Sequence, residues 1–200
     1  MFLARPLAAA AALLMTASGL LAADADPAVI FDLGGKFDRS FNQAAYEGAE
    51  RFKAETGIPF HEFELQSDAQ REQALRRFAE QGYNPVISVG FASASALEAV
   101  APDFPDTHFA IIDMVVEQPN VRSIVFNEHE GSYLVGMLAA MASKSGKVGF
   151  VGGMDIPLIQ KFACGYVQGV KAANPNAEVF QSMTGTTGAA WNDPVRGGEL

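Results

Sequence analysis

The chain has 200 residues, 49% hydrophobic and 18% charged, a balance that supports a buried core and excludes a disordered or low-complexity linker. Fourteen Lys and Arg against 23 Asp and Glu leave a formal charge of −9, which repels phosphate backbones and makes nucleic-acid polymers poor partners. One cysteine, Cys164, permits no internal disulfide, and His61, His108 and His129 lack metal-ligand spacing, so neither a metal nor a cofactor is expected.

Residues 1–25 read as a secretory signal: Arg5, an Ala-rich apolar run too short for a bilayer span, then small residues, with cleavage expected after Ala23 or Ala25. No cysteine stands at that point to carry a lipid, so the mature protein is expected free in a periplasmic space. From residue 28 strands and helices alternate. Residues 28–33 (AVIFDL) suit a strand buried on both faces and end at a Gly-Gly turn. The spacing predicts a helix over 41–56, a strand over 58–65, a helix over 68–81, a strand over 85–90, a helix over 93–100 and a strand over 107–113. A strand over 121–126, a helix over 130–143, a strand over 147–151, a helix over 156–173 and a strand over 177–183 continue the pattern. Residues 184–192 read as a polar loop before Pro194, which could open another helix. Such alternation implies an α/β fold of parallel sheets clad by helices. Five strands ending near Phe126 make one small sheet, so 26–126 is expected as one lobe and 127–200 as a second, with Asn127 and Glu128 at the hinge.

Enzyme signatures are missing: the first turn reads DLGGKFDRS rather than a dinucleotide fingerprint, and neither a triphosphate loop nor a serine elbow occurs. The glycines of GFVGGMD read as a turn, and Cys164 as a small hydrophobe in the core. In open α/β sheets ligands bind beyond the carboxyl ends of the strands. There the chain carries Asp32, Asp38, Ser40, Phe41, Asn42, Gly90, Phe91, Asp113, Asp155 and Trp191. Ser40 with Gln43 reads as a capping box, and Asp38 serves either its own loop or a ligand. Phe41 could be core or could stack on a flat ligand, Asp113 should face the crevice, and periodicity puts Phe162 in the core. Trp191, the only tryptophan, lies in a polar loop.

The segment DLGGKFDRSFNQAAYEGAERF resembles the opening of the basic membrane protein family of ABC-transporter substrate-binding proteins, which includes the purine nucleoside receptor type and shows the pattern D-x-G-x-x-D-x-S-F-N. VISVGFASASALEAVAPDFPDTHFAIID, VRSIVFNEHEGSYLVGMLAAMAS, KVGFVGGMDIPLIQKFACGYVQGVKAANP and the W-N-D-P-x-x-G-x-E stretch extend the similarity over residues 28–200. The resemblance implies a type I periplasmic-binding-protein fold with two α/β lobes, the second incomplete in this chain. It implies that Asp32 contacts the ligand, Phe41 stacks on its base, Asn42 hydrogen-bonds it and Asp113 adds a polar contact. Phe162 would then line the cleft instead of the core, and Trp191 would replace a phenylalanine that closes on the other base face.

The expected function is a monomeric periplasmic receptor, not an enzyme, that takes a purine nucleoside or similar flat, hydroxylated solute and presents it to an inner-membrane ABC permease. Two alternatives stand beside it: a ligand-sensing domain for a membrane receptor, and an exported nucleoside hydrolase using Asp32 and Asp38.

Overall fold

The computed structural model describes residues 25–200; the expected signal sequence lies, but for its last residue, outside them. β1 (Ala28–Phe31) is buried at every position, as a strand covered on both faces must be. It is followed by α1 (Phe41–Thr56), β2 (His61–Glu64), α2 (Gln70–Glu80), β3 (Val86–Ser88), α3 (Ala94–Val100), β4 (Phe109–Ile112) and β5 (Val121–Ile124). The five strands form one parallel sheet in the order β2-β1-β3-β4-β5. The order reverses direction at β1, so the helices must fall on opposite faces. Ala28 and Ile30 pack with Leu75 and Phe78 of α2 and Leu97 of α3 on one side. Val29, Phe31 and Val89 pack with Ala45, Tyr46 and Ala49 of α1 on the other.

A second sheet follows. After α4 (Glu128–Ala142), β6 (Lys147–Met154) pairs in parallel with β7 (Glu178–Gly185) across α5 (Pro157–Ala173), and α6 (Pro194–Glu199) closes the described chain. The irregular link between the sheets is residues 125–127, since Glu128 already belongs to α4 and Asn127 precedes it. β6 runs three residues past its expected end because Gly152 and Gly153 continue the strand instead of turning it. A Cβ on Gly152 would crowd Ile159 at 2.7 Å and the Met183 thioether more closely still, so the strand here needs a residue without a side chain. The supposed loop at 184–192 is the end of β7 and a 3-10 turn, Gly188–Asn192.

α4 and α5 meet backbone to backbone. Gly136, Gly165 and Gly169 all lie at the contact, and a Cβ on Gly169 would stand 2.7 Å from the Tyr133 carbonyl carbon, one on Gly165 2.7 Å from the His129 Cα. Such close approach raises dispersion contact between the helices, and only glycine permits it. α5 buries Ile159, Ala163, Tyr166 and Val170, a stripe at helical spacing. Cys164 falls off that stripe and is exposed, where it accepts a hydrogen bond from Gln168 Nε2 at 3.1 Å, so its expected place in the core is not realised.

Candidate ligand cleft at the strand ends

The switch point of the first sheet lies between β1 and β3, where neighbouring connections leave in opposite directions, the place at which open α/β sheets take their ligands. Ile30 pairs with Ser88, and Ser88 with Ile111. Carrying that register two residues further aligns Asp32, Gly90 and Asp113 across three adjacent strands. With strand spacings near 4.8 Å, the two aspartate backbones stand about 10 Å apart. Between them Gly90, at φ 100°, presents bare backbone; a Cβ there would lie 3.1 Å from the Asp32 carboxyl carbon and closer to its Oδ2. Gly90 is itself buried, and the Asp32 carboxylate covers the backbone that the missing side chain leaves bare.

Asp32 is held firmly. Its Oδ1 accepts the Leu33 N–H at 2.7 Å and Arg71 Nη2 at 2.6 Å, while Oδ2 lies over Gly90 without a protein donor among the described residues. Arg71, in the first turn of α2, is only 6% exposed and also donates to Asp68 Oδ1 from Nε at 2.9 Å and Nη2 at 2.7 Å, and to Ser93 Oγ at 3.3 Å. Sequence reasoning missed it because an arginine in a polar helix reads as a solvated face.

Asp113 ends β4 with φ 72°, a left-handed conformation that aspartate tolerates better than most residues, and its N–H still bonds Ile124 O at 2.8 Å. Burial pushes its carboxyl above the ordinary value, Glu128 adds to the rise and Lys161 opposes it. Glu128, whose side chain is buried, is tied to Lys161 Nζ at 2.5 Å, and the same ammonium donates to Phe126 O at 2.8 Å. Burial pushes Glu128 upward, but Lys161 outweighs it and holds this carboxyl below its usual range. Lys161 of α5 thereby ties the second sheet's helix layer to the 125–127 link.

The remaining expected residues separate into two groups. Phe41, at the start of α1, is 37% exposed and keeps an open face. Phe162 is half-buried and borders, with Phe126, Ser132, Phe150 and Tyr166, an open cavity of about 510 Å³ between α4, α5 and β6, so its place is at a cavity wall rather than in the core. Trp191 is half-exposed; its ring lies against Gly153, where a Cβ would collide with it, and its centroid is 6.3 Å from that of Phe91 at 58°. That pair joins the strand ends of the two sheets.

Around the start of α1 the side chains do structural work that the sequence assigned differently. Asn42, expected to hydrogen-bond a ligand, is 2% exposed: its Oδ1 accepts the Asp32 N–H at 2.8 Å and its Nδ2 donates to the carbonyls of Asp32 and Leu33 at 3.3 and 3.4 Å. A buried amide must satisfy its own polar atoms, and these bonds brace the Asp32 turn instead. Ser40 makes no side-chain cap. Asp38 does that work, accepting the N–H groups of Ser40 at 2.8 Å, Asn42 at 3.0 Å and Gln43 at 3.1 Å. Burial raises its carboxyl, but these three donors outweigh that and hold it below the usual carboxylate value.

The profile of the family described as "ABC transporter substrate-binding protein PnrA-like" matches residues 26–195. The chain belongs to this Bmp family. It is similar to the Listeria monocytogenes protein named CD4+ T-cell-stimulating antigen, with 39% identity over 76% of this chain and 44% of the relative. It is also similar to the Lactococcus lactis protein named ABC transporter nucleoside-binding protein BmpA, with 35% identity over 84% of this chain and 50% of that one. Among solved structures, a solute-binding protein of an ABC transporter system from Aeropyrum pernix superposes with a TM-score of 0.74 at 34% identity, covering 83% of this chain and 50% of that one. This Bmp family chain spans about half the length of the curated relatives it matches. The likeness carries the periplasmic-binding-protein fold, with parallel sheets flanked by helices.

Proposed function

We propose that this Bmp family chain is part of an extracytoplasmic solute-binding protein that delivers a purine nucleoside, or a similar flat hydroxylated solute, to an ABC permease and does no chemistry on it. Residues 26–126 would form one lobe and 127–200 part of the other, with the ligand between them. The observation that carries the reading is that Asp32, Gly90 and Asp113 follow the ends of β1, β3 and β4, whose registers pair Ile30 with Ser88 and Ser88 with Ile111, while the half-exposed ring of Trp191 lies beside Phe91. Acidic acceptors at two strand ends suit hydroxyl and ring N–H donors and repel a phosphate. The free faces of Phe41 and Trp191 suit a planar ring. Each aromatic stack contributes about 1–3 kcal/mol and each hydrogen bond to a charged group about 1.5–3 kcal/mol, enough together to offset the ordering cost of binding. The name of the Lactococcus relative points to the same ligand class. An export-type N-terminus fits an extracytoplasmic location.

Trp191 is the only tryptophan of these 200 residues, and the emission that a Trp191→Phe variant of the full-length protein loses is the signal that reports occupancy of the cleft. Titrating inosine, guanosine or adenosine into the full-length protein as encoded should change that emission saturably, and the nucleoside should be recovered intact. No change with any of the three would refute the nucleoside assignment; release of free base would favour a hydrolase instead.

A further inference from the structure

We propose that Arg71 is a positioning residue for the cleft, and that it makes Asp32 a single-acceptor reader of one ligand N–H or O–H donor. This rests on the reading that a donor-bearing flat solute binds at the strand ends. The guanidinium is buried and bridges three elements: Asp68 before its own helix, Asp32 at the end of β1 and Ser93 in the turn beyond β3. Five fixed donors in one plane allow little freedom, so the bridge sets both the position and the rotation of the Asp32 carboxylate. Oδ1 is occupied twice, by Arg71 and by the Leu33 N–H. Oδ2 lies over Gly90, where any larger residue would push it away, and it accepts from no donor among the described residues, so it is the oxygen left for a ligand. A carboxylate offered through one oxygen cannot chelate a vicinal diol with two parallel hydrogen bonds; it grips one donor.

The geometry also explains why a buried positive charge stands beside a site that favours neutral solutes. Arg71 faces Asp68 and Asp32 together, so the cleft still presents Asp32 as an acceptor and offers no free guanidinium to an anion.

The test is a ligand-and-protein double cycle on the full-length protein. Guanosine and its 2′-deoxy, 3′-deoxy, 5′-deoxy and N1-methyl analogues are titrated calorimetrically against the wild type, Asp32→Asn, Arg71→Met and Arg71→Lys. In the wild type, one of the donors read by Asp32 should be worth about tenfold or more in affinity, following the strength of hydrogen bonds to charged groups. Asp32→Asn should shrink the penalty of that one analogue, and both Arg71 variants should shrink the same penalty while leaving the others unchanged. Lysine keeps the charge and a foldable helix but cannot bridge three partners, so it tests positioning even where Arg71→Met fails to fold. An Arg71→Lys protein that weakens every analogue by one common factor, or not at all, would overturn the positioning role. Equal loss of two hydroxyl penalties in Asp32→Asn would overturn the single-acceptor reading. No binding of guanosine by the wild type would overturn the ligand reading itself, a result distinct from either.

Discussion

The same substitution, glycine to alanine, should act with opposite signs in two helices of this protein. At Gly169 in α5 the added methyl would stand 2.7 Å from the Tyr133 carbonyl carbon of α4, about 0.7 Å short of ordinary contact at 3.4 Å, and nearer still to the oxygen. The neighbour is backbone inside a helix, so it cannot rotate away; the helices must separate. Overpacking of this kind costs about 1–3 kcal/mol. Against it stands the better helix propensity of alanine, about 1 kcal/mol. Gly169→Ala should therefore be destabilising by up to about 2 kcal/mol in net terms, since a clash with backbone falls at the upper end of the overpacking range. Gly48, exposed in α1, has nothing within 4 Å of the same added atom, and there only the propensity acts. Gly48→Ala should be stabilising by about 0.5–1 kcal/mol. Urea unfolding followed by far-ultraviolet circular dichroism measures both differences. Because α5 also carries Lys161 and Phe162, separation of the helices should lower nucleoside affinity in Gly169→Ala and leave it unchanged in Gly48→Ala. Equal stabilisation by the two substitutions would refute the close-packing account of α4 and α5.

Asp113→Asn should raise stability at neutral pH. The folded-state value of this carboxyl lies above its unfolded one, so ionisation in the folded state is unfavourable, stability falls as pH rises through that window, and the gain over wild type should vanish once acid protonates Asp113 in both states. Thermal melting at a series of pH values checks this, and the same variant should bind ligand more weakly because asparagine loses the charge. Asp38 behaves oppositely. Its folded value is lowered, so its contribution is present above the unfolded value and is lost as pH falls through the folded one; Asp38→Ala should cost about 0.5–2 kcal/mol at neutral pH and little in acid. Lys161→Met leaves the buried Glu128 carboxylate without its cation, and since Lys161 itself is 40% exposed the loss is discounted to about 1–2 kcal/mol, measured by urea unfolding.

The alternation of elements was legible because buried parallel strands are written as unbroken apolar runs, AVIF in β1 and FAII in β4, bounded by turn residues. The strand ends follow from that alternation, but the order β2-β1-β3-β4-β5 does not, because alternation leaves open on which side of β1 each later strand pairs. What could not be read was the division of labour inside the first loop. Ser40, Asp38 and Asn42 have side chains that all cap helices and brace turns, and their spacing fits several networks equally well. The network present is chosen by burial: Asn42 falls inside and must satisfy both its amide groups, which assigns the turn to it and leaves the helix start to Asp38. Arg71 was hidden for a related reason. Its partners, Asp32 and Ser93, are 39 and 22 residues away along the chain, and only the pairing of β1 with β3 brings them together.

That pairing links the fold to the site more tightly than any single ligand contact does. The backbone of Gly90, the carboxylate of Asp32 and the guanidinium of Arg71 occupy one packed unit, so a change in any of them moves the other two. On the proposed reading, the acidic wall of the cleft would be built by the sheet's own switch point, whereas the aromatic wall would depend on how Trp191 rests on Gly153 in the second sheet. The two walls belong to different sheets and touch through Phe91 and Trp191. Under the function proposed above, recognition of a solute by both walls at once would hold the two sheets together by its own binding energy, and a permease could then distinguish loaded from empty protein.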